Sequence, residues 1–198
     1  MILDDFVVVD NAISTTFQNQ IEEYMHNKQP WWFQSDITFS DLQINEFLKV
    51  GVPLKKRFGW GSMIFDKEKN YGTTNHLVTS VLYNAVDAAN IKLNDITLIR
   101  GFMSSPINNQ KVDRPHVDRP GMHLVCIYYV NDSDGDTVIF DKMNDDSDIN
   151  QHLNPNEQKV LTKISPKKGR CLIFDGRHYH ASTPPSSDVR TVINFNFI

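Results

Sequence analysis

From Ile96 to the end of the chain, the sequence consists of short apolar runs separated by Gly, Pro, Asn and Asp, and no helical period interrupts them. The runs are 96–103, 112–118, 122–130, 137–141, 159–164, 170–175 and 189–197. Many short strands at this spacing, without helices between them, are typical of an antiparallel barrel or a two-sheet jelly roll rather than of a parallel βαβ sheet. The pattern therefore predicts a jelly-roll core over residues 96–198.

The preceding part of the chain, residues 1–95, has a different pattern. Ser14 can cap a helix whose apolar residues recur at helical spacing, and Thr74 or Asn75 begins a second helix with a continuous apolar face. A short apolar run before the first helix predicts a strand, and the aromatic-rich residues 30–65 predict loops and short strands. We therefore expect a mainly β fold with flanking α, a double-stranded β-helix (jelly roll) with supporting helices packed outside it.

Composition is that of an ordinary globular chain, with 198 residues, 40% hydrophobic and 22% charged, and it predicts a single domain over residues 1–198. The formal net charge of −4 argues against a nucleic-acid partner, because proteins that bind nucleic acids usually carry a basic stripe. No apolar run approaches membrane-spanning length and the first residues lack the features of a signal peptide, so we expect a cytoplasmic protein with no membrane partner. Cys126 and Cys171 lie in strand-like apolar runs, which favours buried, reduced thiols over a disulfide.

The residues with the clearest chemistry lie within 115–120. An extended backbone projects residues i and i+2 from one face, so His116 and Asp118 point at one target. A second histidine, His180, follows Asp118 by 62 residues (180 − 118), where a strand runs into a proline-rich turn. Together the three side chains can form a two-histidine, one-carboxylate site with open positions, which is typical of non-haem Fe(II) oxygenases. Because His178 shares strand parity with His180, alternation alone leaves it as an alternative ligand.

Arg190 stands ten residues after His180 (190 − 180), on the next predicted strand. Alternation puts Arg190 on one face of that strand with Val192, Asn194 and Asn196, and puts the aromatic residues on the other face, against the helices. A guanidinium pairs bidentately with a carboxylate, so an inward arginine indicates an anion in the cavity, such as the distal end of a small dicarboxylate. A catalytic zinc also accepts two histidines and a carboxylate, but it requires a water and a general base rather than an arginine-anchored pocket.

Several motifs follow one another in a specific order over about residues 96–198. They are His116-Val117-Asp118, Cys126-Ile127-Tyr128-Tyr129-Val130-Asn131, Asp134-Gly135-Asp136-Thr137, Gly169-Arg170-Cys171-Leu172-Ile173-Phe174-Asp175, His180 and Arg190. In order and spacing they resemble the Fe(II)/2-oxoglutarate-dependent oxygenases of the prolyl 4-hydroxylase type. The chain is also similar to the short single-domain versions of these enzymes carried by bacteria and their phages.

The resemblance implies a role for each candidate residue. The implied iron ligands are His116, Asp118 and His180. His180 is preferred over His178 because its spacing to Arg190 and the Ala-Ser-Thr-Pro that follows it match the family pattern. By the same resemblance, Arg190 binds the distal carboxylate of 2-oxoglutarate, and Tyr129 donates a hydrogen bond to that carboxylate. Fe(II), 2-oxoglutarate and the co-substrate O2 are implied as well, and ascorbate is a further candidate.

The resemblance also implies the hydroxylation of an unactivated C–H bond, while 2-oxoglutarate becomes succinate and CO2. We expect the substrate to be a protein or peptide, with the modified residue a proline in an extended segment, because exposed aromatic faces suit the rigid rings of a polyproline-like chain. The candidate aromatic residues are Trp31, Trp32, Phe58 and Trp60. Their alternative role is to fill the core beneath the two helices. Two other hypotheses are the same chemistry on a small metabolite, and a non-catalytic jelly-roll module that binds a metal or a small acid.

Overall fold

The computed structural model of the chain describes residues 6–37, 57–72, 75–107, 111–145 and 153–198. The strands in these ranges are β1 (Val7–Val9), β2 (Trp32–Gln34), β3 (Gly59–Asp66), β4 (Ile96–Ser104), β5 (Leu124–Tyr129), β6 (Thr137–Met143), β7 (Val160–Ile164), β8 (Cys171–Asp175), β9 (His178–Ser182) and β10 (Arg190–Phe197). The helices are α1 (Thr15–Asn27) and α2 (His76–Ala88), with a 3-10 helix at Pro155–Glu157. Strands therefore dominate from residue 96 onward, as the sequence predicts.

The strands form two antiparallel sheets. The larger sheet has seven strands in the order β1-β8-β5-β10-β4-β3-β2, and the smaller has three in the order β7-β6-β9. Neighbours in these sheets are mostly far apart in the chain, since β10 lies between β4 and β5, and β9 pairs with β6. This crossing pattern in two antiparallel sheets is that of a jelly roll, which confirms the predicted fold class.

Both predicted helices are present and pack on the outer face of the larger sheet. Ser14 caps α1 by accepting the N–H of Phe17 (3.4 Å), and Asn75 caps α2 by accepting the N–H of Leu77 (3.0 Å). The buried apolar side chains of both helices belong to one cluster with the outward residues of β10, namely Ile193, Phe195 and Phe197. Within the described ranges, no helix is long and apolar enough to cross a membrane.

The inner face of the larger sheet carries a second apolar cluster. Its buried members are Val125, Ile127, Tyr129, Ile139, Leu172, Phe174 and Val192. The predicted alternation on β10 is correct. Asn194 pairs with Arg100 of β4 and with Ile127 of β5, and it therefore lies on this inner face. The inside of the jelly roll is therefore apolar toward β8 and polar along β10 and β4.

Two parts of the strand assignment differ from the prediction. The run 112–118 is not a regular strand; of its described residues, His116 makes an isolated bridge, to His180. Pro115 and Pro120 flank the motif and have no N–H to give to a ladder, which explains the irregular backbone. Conversely, residues 178–182 form β9 although they are not an apolar run. The burial of this strand comes from its position between β6 and the 112–118 segment.

The two cysteines follow the prediction. Cys126 and Cys171 are both buried and free, on the neighbouring strands β5 and β8. Of the remaining predicted segments, residues 3–5 of the first strand (predicted over 3–9), residues 38–56 of the aromatic-rich region and Thr74 lie outside the described residues. The described part of the first strand is β1, which pairs with β8.

Candidate functional site

The structure brings His116, Asp118 and His180 together. Each offers one possible ligand atom, and these atoms all lie within 4.8 Å of one another. Two backbone hydrogen bonds hold the segments in place, since the N–H of His116 donates to the carbonyl of His180 and the reverse bond is also made (both 2.9 Å). The two imidazole rings are consequently neighbours, with centroids 4.6 Å apart. This arrangement has the size and the donor types of a site for a single divalent metal ion.

Both imidazoles have the tautomer and charge that metal binding requires. Nδ1 of His116 is 3.3 Å from the carbonyl oxygen of Arg114, and Nδ1 of His180 is 3.2 Å from that of His178. A carbonyl only accepts hydrogen bonds, so Nδ1 carries the proton and the Nε2 lone pair remains for a metal. Burial lowers the pKa of His116 to about 4, with repulsion from His180 as a further cause, and burial also lowers the pKa of His180. Both rings are therefore neutral at neutral pH.

Asp118 is held as a buried, ionised carboxylate. The Arg100 guanidinium donates to its Oδ1 (2.5 Å), and the side-chain amides of Asn194 and Asn196 donate to its Oδ2 (3.0 and 3.2 Å). Burial alone would raise the pKa of Asp118, but the charge of Arg100 and the hydrogen bond from Asn194 outweigh it and hold the pKa well below its usual range. The carboxylate is thus charged without needing a metal to deprotonate it.

The remaining histidines near the site point elsewhere. Nδ1 of His178 lies 2.8 Å from the carbonyl oxygen of Phe140, on β6, and His178 is outside the group of ligand atoms. His123 is buried with its Nδ1 2.9 Å from the carbonyl oxygen of Gly121, and it too is outside that group. Of the two histidines that strand parity could not separate, His180 is therefore the one that faces Asp118, with 3.8 Å between Nε2 and Oδ2.

Arg190 lies at the other end of the same cavity and is only 6% exposed. Its Nε donates to the carbonyl of Gly135 (2.7 Å) and its Nη2 donates to the hydroxyl of Thr137 (2.8 Å). Among the described residues, no carboxylate forms an ion pair with it. Tyr129 donates its phenol proton to the same Thr137 hydroxyl (2.8 Å), and burial raises the pKa of Tyr129 to about 12, so the phenol stays protonated. A buried cation bonded only to neutral oxygens is suited to an incoming anion.

One open cavity connects the two ends. Its lining includes the proposed ligand triad and Arg190, with Thr137, Asn194, Phe102, Ser104, Ile127, Val192, Ala181, Ser182 and Ile37. One end thus offers nitrogen and oxygen ligands for a metal, and the other offers a buried positive charge. A small acid that chelates a metal through one end and carries a carboxylate at the other matches this distribution of groups.

Sequence reasoning missed two residues of this site. Arg100 on β4 contacts Asp118 from the inner face, and Thr137 at the start of β6 links Tyr129 to Arg190. A signal for Arg100 was available, because alternation along 96–103 puts this charged residue on one face with Leu98 and Phe102. A charged side chain on an apolar strand face indicates a buried partner.

Four aromatic side chains form an aromatic patch, defined here as Trp32, Phe33, Phe58 and Trp60. Phe33 is 65% exposed, and its ring centroid lies 6.3 Å from that of Phe58 and 6.5 Å from that of Trp60. By strand register, Trp32 shares the inner face of the sheet with Phe102, which lines the cavity, whereas Phe33 and Trp60 pair with each other on the outer face. Ile37, which also lines the cavity, donates its backbone N–H to the carbonyl of the residue before Phe58 (2.9 Å). Trp31, in contrast, packs against the core beneath α1 and donates its indole N–H to the carbonyl of Met25 (2.8 Å).

Comparison with known proteins agrees with this geometry. Residues 106–198 match the family described as the 2OG-Fe(II) oxygenase superfamily. A comparison with curated protein sequences finds no match. Residues 106–198 are thus similar to the 2OG-Fe(II) oxygenase superfamily, which supports the resemblance seen in the sequence. The matched family implies a 2-oxoglutarate-dependent oxygenase with Fe(II) and 2-oxoglutarate as cofactors and O2 as co-substrate, and the group of His116, Asp118 and His180 fits these cofactors.

Solved structures share the fold over nearly the whole chain. A 2OG-Fe(II) oxygenase family oxidoreductase from Burkholderia pseudomallei has a TM-score of 0.60 at 11% identity, covering 97% of this chain and 84% of that one. A Trichoplax adhaerens prolyl hydroxylase in complex with a hypoxia inducible factor peptide fragment has a TM-score of 0.56 at 17% identity, covering 97% and 83%. The epimerase SnoN in complex with Fe3+, alpha ketoglutarate and nogalamycin RO has a TM-score of 0.57 at 13% identity, covering 98% and 77%.

Proposed function

We propose that this chain hydroxylates an unactivated C–H bond, with Fe(II) held by His116, Asp118 and His180 and with 2-oxoglutarate anchored by Arg190. The observation that carries the proposal is that the three ligand side chains and a buried, carboxylate-free arginine line one cavity. When bound, Fe(II) and 2-oxoglutarate would activate O2 for the oxidation of the C–H bond, and 2-oxoglutarate would be converted to succinate and CO2. The protein's own contribution is to bind these groups and to orient them.

In this proposal each residue acts through its charge or its hydrogen bonds. The two neutral imidazoles and the ionised Asp118 supply two nitrogen donors and one oxygen donor and leave positions open for the 2-oxoacid. Arg190 pairs with the distal carboxylate. Tyr129 turns its phenol proton from the Thr137 hydroxyl to the same carboxylate, because its high pKa keeps it a donor.

The role of Tyr129 predicts an effect on 2-oxoglutarate binding that is smaller than that of Arg190. Tyr129→Phe removes one neutral donor and is expected to weaken 2-oxoglutarate binding by about 0.5–1.5 kcal/mol, less than the loss of Arg190. The measurement is the 2-oxoglutarate concentration that gives half-maximal succinate formation. Thr137→Val, which leaves the Tyr129 phenol without its acceptor, serves as a comparison. If Tyr129→Phe leaves this concentration unchanged, Tyr129 only packs between the strands.

We propose further that the substrate is a peptidyl proline in an extended segment. The support is Trp32 of the aromatic patch, which is 51% exposed on the sheet face that also carries the cavity, since exposed aromatic faces pack against the rigid rings of polyproline-like peptides. Among the strands of the described ranges, β2, which carries Trp32 and Phe33, lies at the edge of its sheet, and an edge strand can pair with an added extended chain. One of the structural relatives is a prolyl hydroxylase bound to a peptide.

A second candidate is the same chemistry on a small molecule. The observation that favours it is the fold shared with SnoN, an epimerase whose structure contains the small molecule nogalamycin RO. A small substrate would occupy the cavity without contacting the aromatic patch. The two candidates therefore differ in whether the patch contributes to substrate binding.

The test is to incubate the protein aerobically with Fe(II) and 2-oxoglutarate together with proline-containing peptides, free proline or single-stranded oligonucleotides. We expect succinate formation, and a mass gain of one oxygen on a peptide. Trp32→Ala should raise the peptide KM by roughly threefold to tenfold, because it removes one aromatic packing contact on the cavity face, and should leave substrate-free succinate formation unchanged.

Tyr83→Ala is the matched control, since Tyr83 is also an exposed aromatic residue (45%) but lies on α2, outside the sheet. Oxidation of free proline or of a nucleobase, with none on any peptide, would refute the peptidyl substrate and leave the oxygenase chemistry in place. An absence of succinate under all conditions, despite bound Fe(II), would refute the enzymatic proposal itself.

A further inference from the structure

Asp118 is the ligand candidate whose position the backbone determines least. His116 is fixed by its backbone bridge to His180, and His180 lies on β9, whereas Asp118 follows in an irregular segment flanked by prolines. A side chain on such a segment needs contacts from rigid elements to hold one orientation. The sheet supplies these contacts, through three residues of β4 and β10.

The three residues, called the carboxylate clamp, are Arg100, Asn194 and Asn196. Arg100 and Asn194 are directly paired across β4 and β10, so their side chains reach the same carboxylate from adjacent strands. Asn196 uses both of its amide hydrogens, one on Asp118 Oδ2 (3.2 Å) and one on the side-chain oxygen of Asn194 (2.6 Å). The clamp is thus a connected network rather than three separate contacts.

The clamp limits how Asp118 can bind a metal. A carboxylate has about four acceptor positions, and the clamp occupies one on Oδ1 and two on Oδ2. Both oxygens are thus engaged, so a metal that bonds to one oxygen leaves the other held by the clamp, and chelation through both oxygens is disfavoured. With two imidazole nitrogens, three donor atoms in total then hold the metal, and the remaining positions stay available for a bidentate 2-oxoacid and O2.

The charge of Arg100 also favours the binding of the 2-oxoacid. Carboxylates and carbonyls that hydrogen-bond to a metal-binding imidazole make it more basic and usually strengthen metal binding. A cation on the carboxylate ligand does the opposite, because it reduces the negative charge that Asp118 presents to the metal. The bound ion therefore keeps more of its positive charge for the dianionic 2-oxoglutarate.

We propose that Arg100, supported by Asn194 and Asn196, is a positioning residue that restricts Asp118 to one metal bond and thereby preserves the coordination position and the positive charge that 2-oxoglutarate needs. This inference rests on the proposed metal site. A purely structural role for Arg100 would be limited to neutralising a buried carboxylate. The two roles predict different results when the metal and the 2-oxoacid are titrated separately.

The experiment uses the full chain freed of metal, with Mn(II) and then 2-oxoglutarate titrated by calorimetry. Arg100→Met keeps the length of the side chain and its packing over the Phe102 ring but removes the charge and the donors. We expect it to bind Mn(II) at least as tightly as the wild type, and the Mn(II)-loaded variant to bind 2-oxoglutarate about tenfold more weakly or worse. Arg100→Lys keeps the charge and one donor, and should restore both affinities to near the wild-type values.

Arg119→Met is the matched control. Arg119 is next to Asp118 in the chain and as exposed as Arg100 (26% against 24%), but it pairs with the exposed Glu68 instead of the carboxylate. This variant should change neither affinity. If Arg100→Met does not fold, as judged by circular dichroism, Asn196→Ala replaces it in the test, because it frees one acceptor position on Oδ2. We then expect an unchanged or higher affinity for Mn(II) and a lower affinity for 2-oxoglutarate, with smaller changes than in Arg100→Met.

The inference predicts that the affinities for Mn(II) and for 2-oxoglutarate respond differently to the substitution. Parallel weakening of Mn(II) and 2-oxoglutarate binding in Arg100→Met would assign Arg100 a structural role and overturn the inference, as would an unchanged 2-oxoglutarate affinity. A lysine variant that behaves like the methionine variant would also overturn it. Failure of the wild type to bind Mn(II) would instead refute the proposed metal site, so the two failures are distinguishable.

Discussion

His180→Ala is expected to abolish metal binding at Fe(II) or Mn(II) concentrations that saturate the wild type. The substitution removes one of three ligand atoms that lie within 4.8 Å of one another. Loss of a carboxylate or carbonyl that supports a metal ligand typically costs 10- to 100-fold in metal affinity, so loss of a ligand itself should cost at least about 100-fold. The measurement is the metal content of the dialysed protein together with a calorimetric titration with Mn(II).

His178→Ala is the matched control for this prediction. It removes the same side chain from the same strand, two residues away, but His178 bonds to the carbonyl of Phe140 instead of facing Asp118. The variant should retain the metal and most of the activity. If His178→Ala loses the metal while His180→Ala retains it, the assignment of the third ligand is wrong.

The choice between these two histidines shows a limit of predicting side-chain direction from strand alternation. Strand alternation has a period of two, so it gives His178 and His180 the same face. In the structure the pairing of β6 with β9 shifts between Ile139 and Met143, and His178 pairs with Met143 beyond that irregularity. The extra residues lie on β6, whose Phe140 carbonyl is 2.8 Å from Nδ1 of His178, and alternation along β9 alone could not reveal this partner.

Predictions that depended on local periodicity agree with the structure. The capped helices and the inward face of β10 were predicted correctly, because N-caps and alternation are properties of a few neighbouring residues. The carboxylate clamp could not be assembled in this way. Arg100 lies 18 residues before Asp118 and the asparagines more than 70 after it, and their meeting depends on the register between β4 and β10.

Arg190→Ala is expected to raise the 2-oxoglutarate requirement strongly while leaving metal affinity nearly unchanged. Arg190 is buried and bonds to two neutral oxygens, those of Gly135 and Thr137, so its charge is available to the carboxylate of a bound acid. A charge-assisted hydrogen bond contributes about 1.5–3 kcal/mol, which corresponds to roughly a 10- to 100-fold increase in the half-saturating concentration. Succinate formation as a function of 2-oxoglutarate concentration measures this change.

The Mn(II) titration separates this effect from a loss of structure. A variant that binds Mn(II) as tightly as the wild type still holds the ligand triad in place, and its weakened response to 2-oxoglutarate then reports on the arginine alone. Arg177→Ala provides a control, because Arg177 is also an arginine at a strand end but pairs with Asp175 outside the cavity lining. Unchanged 2-oxoglutarate dependence in Arg190→Ala would mean that the acid binds in the cavity through a different cation, and Arg190 would then be a structural link between β10 and the turn at Gly135.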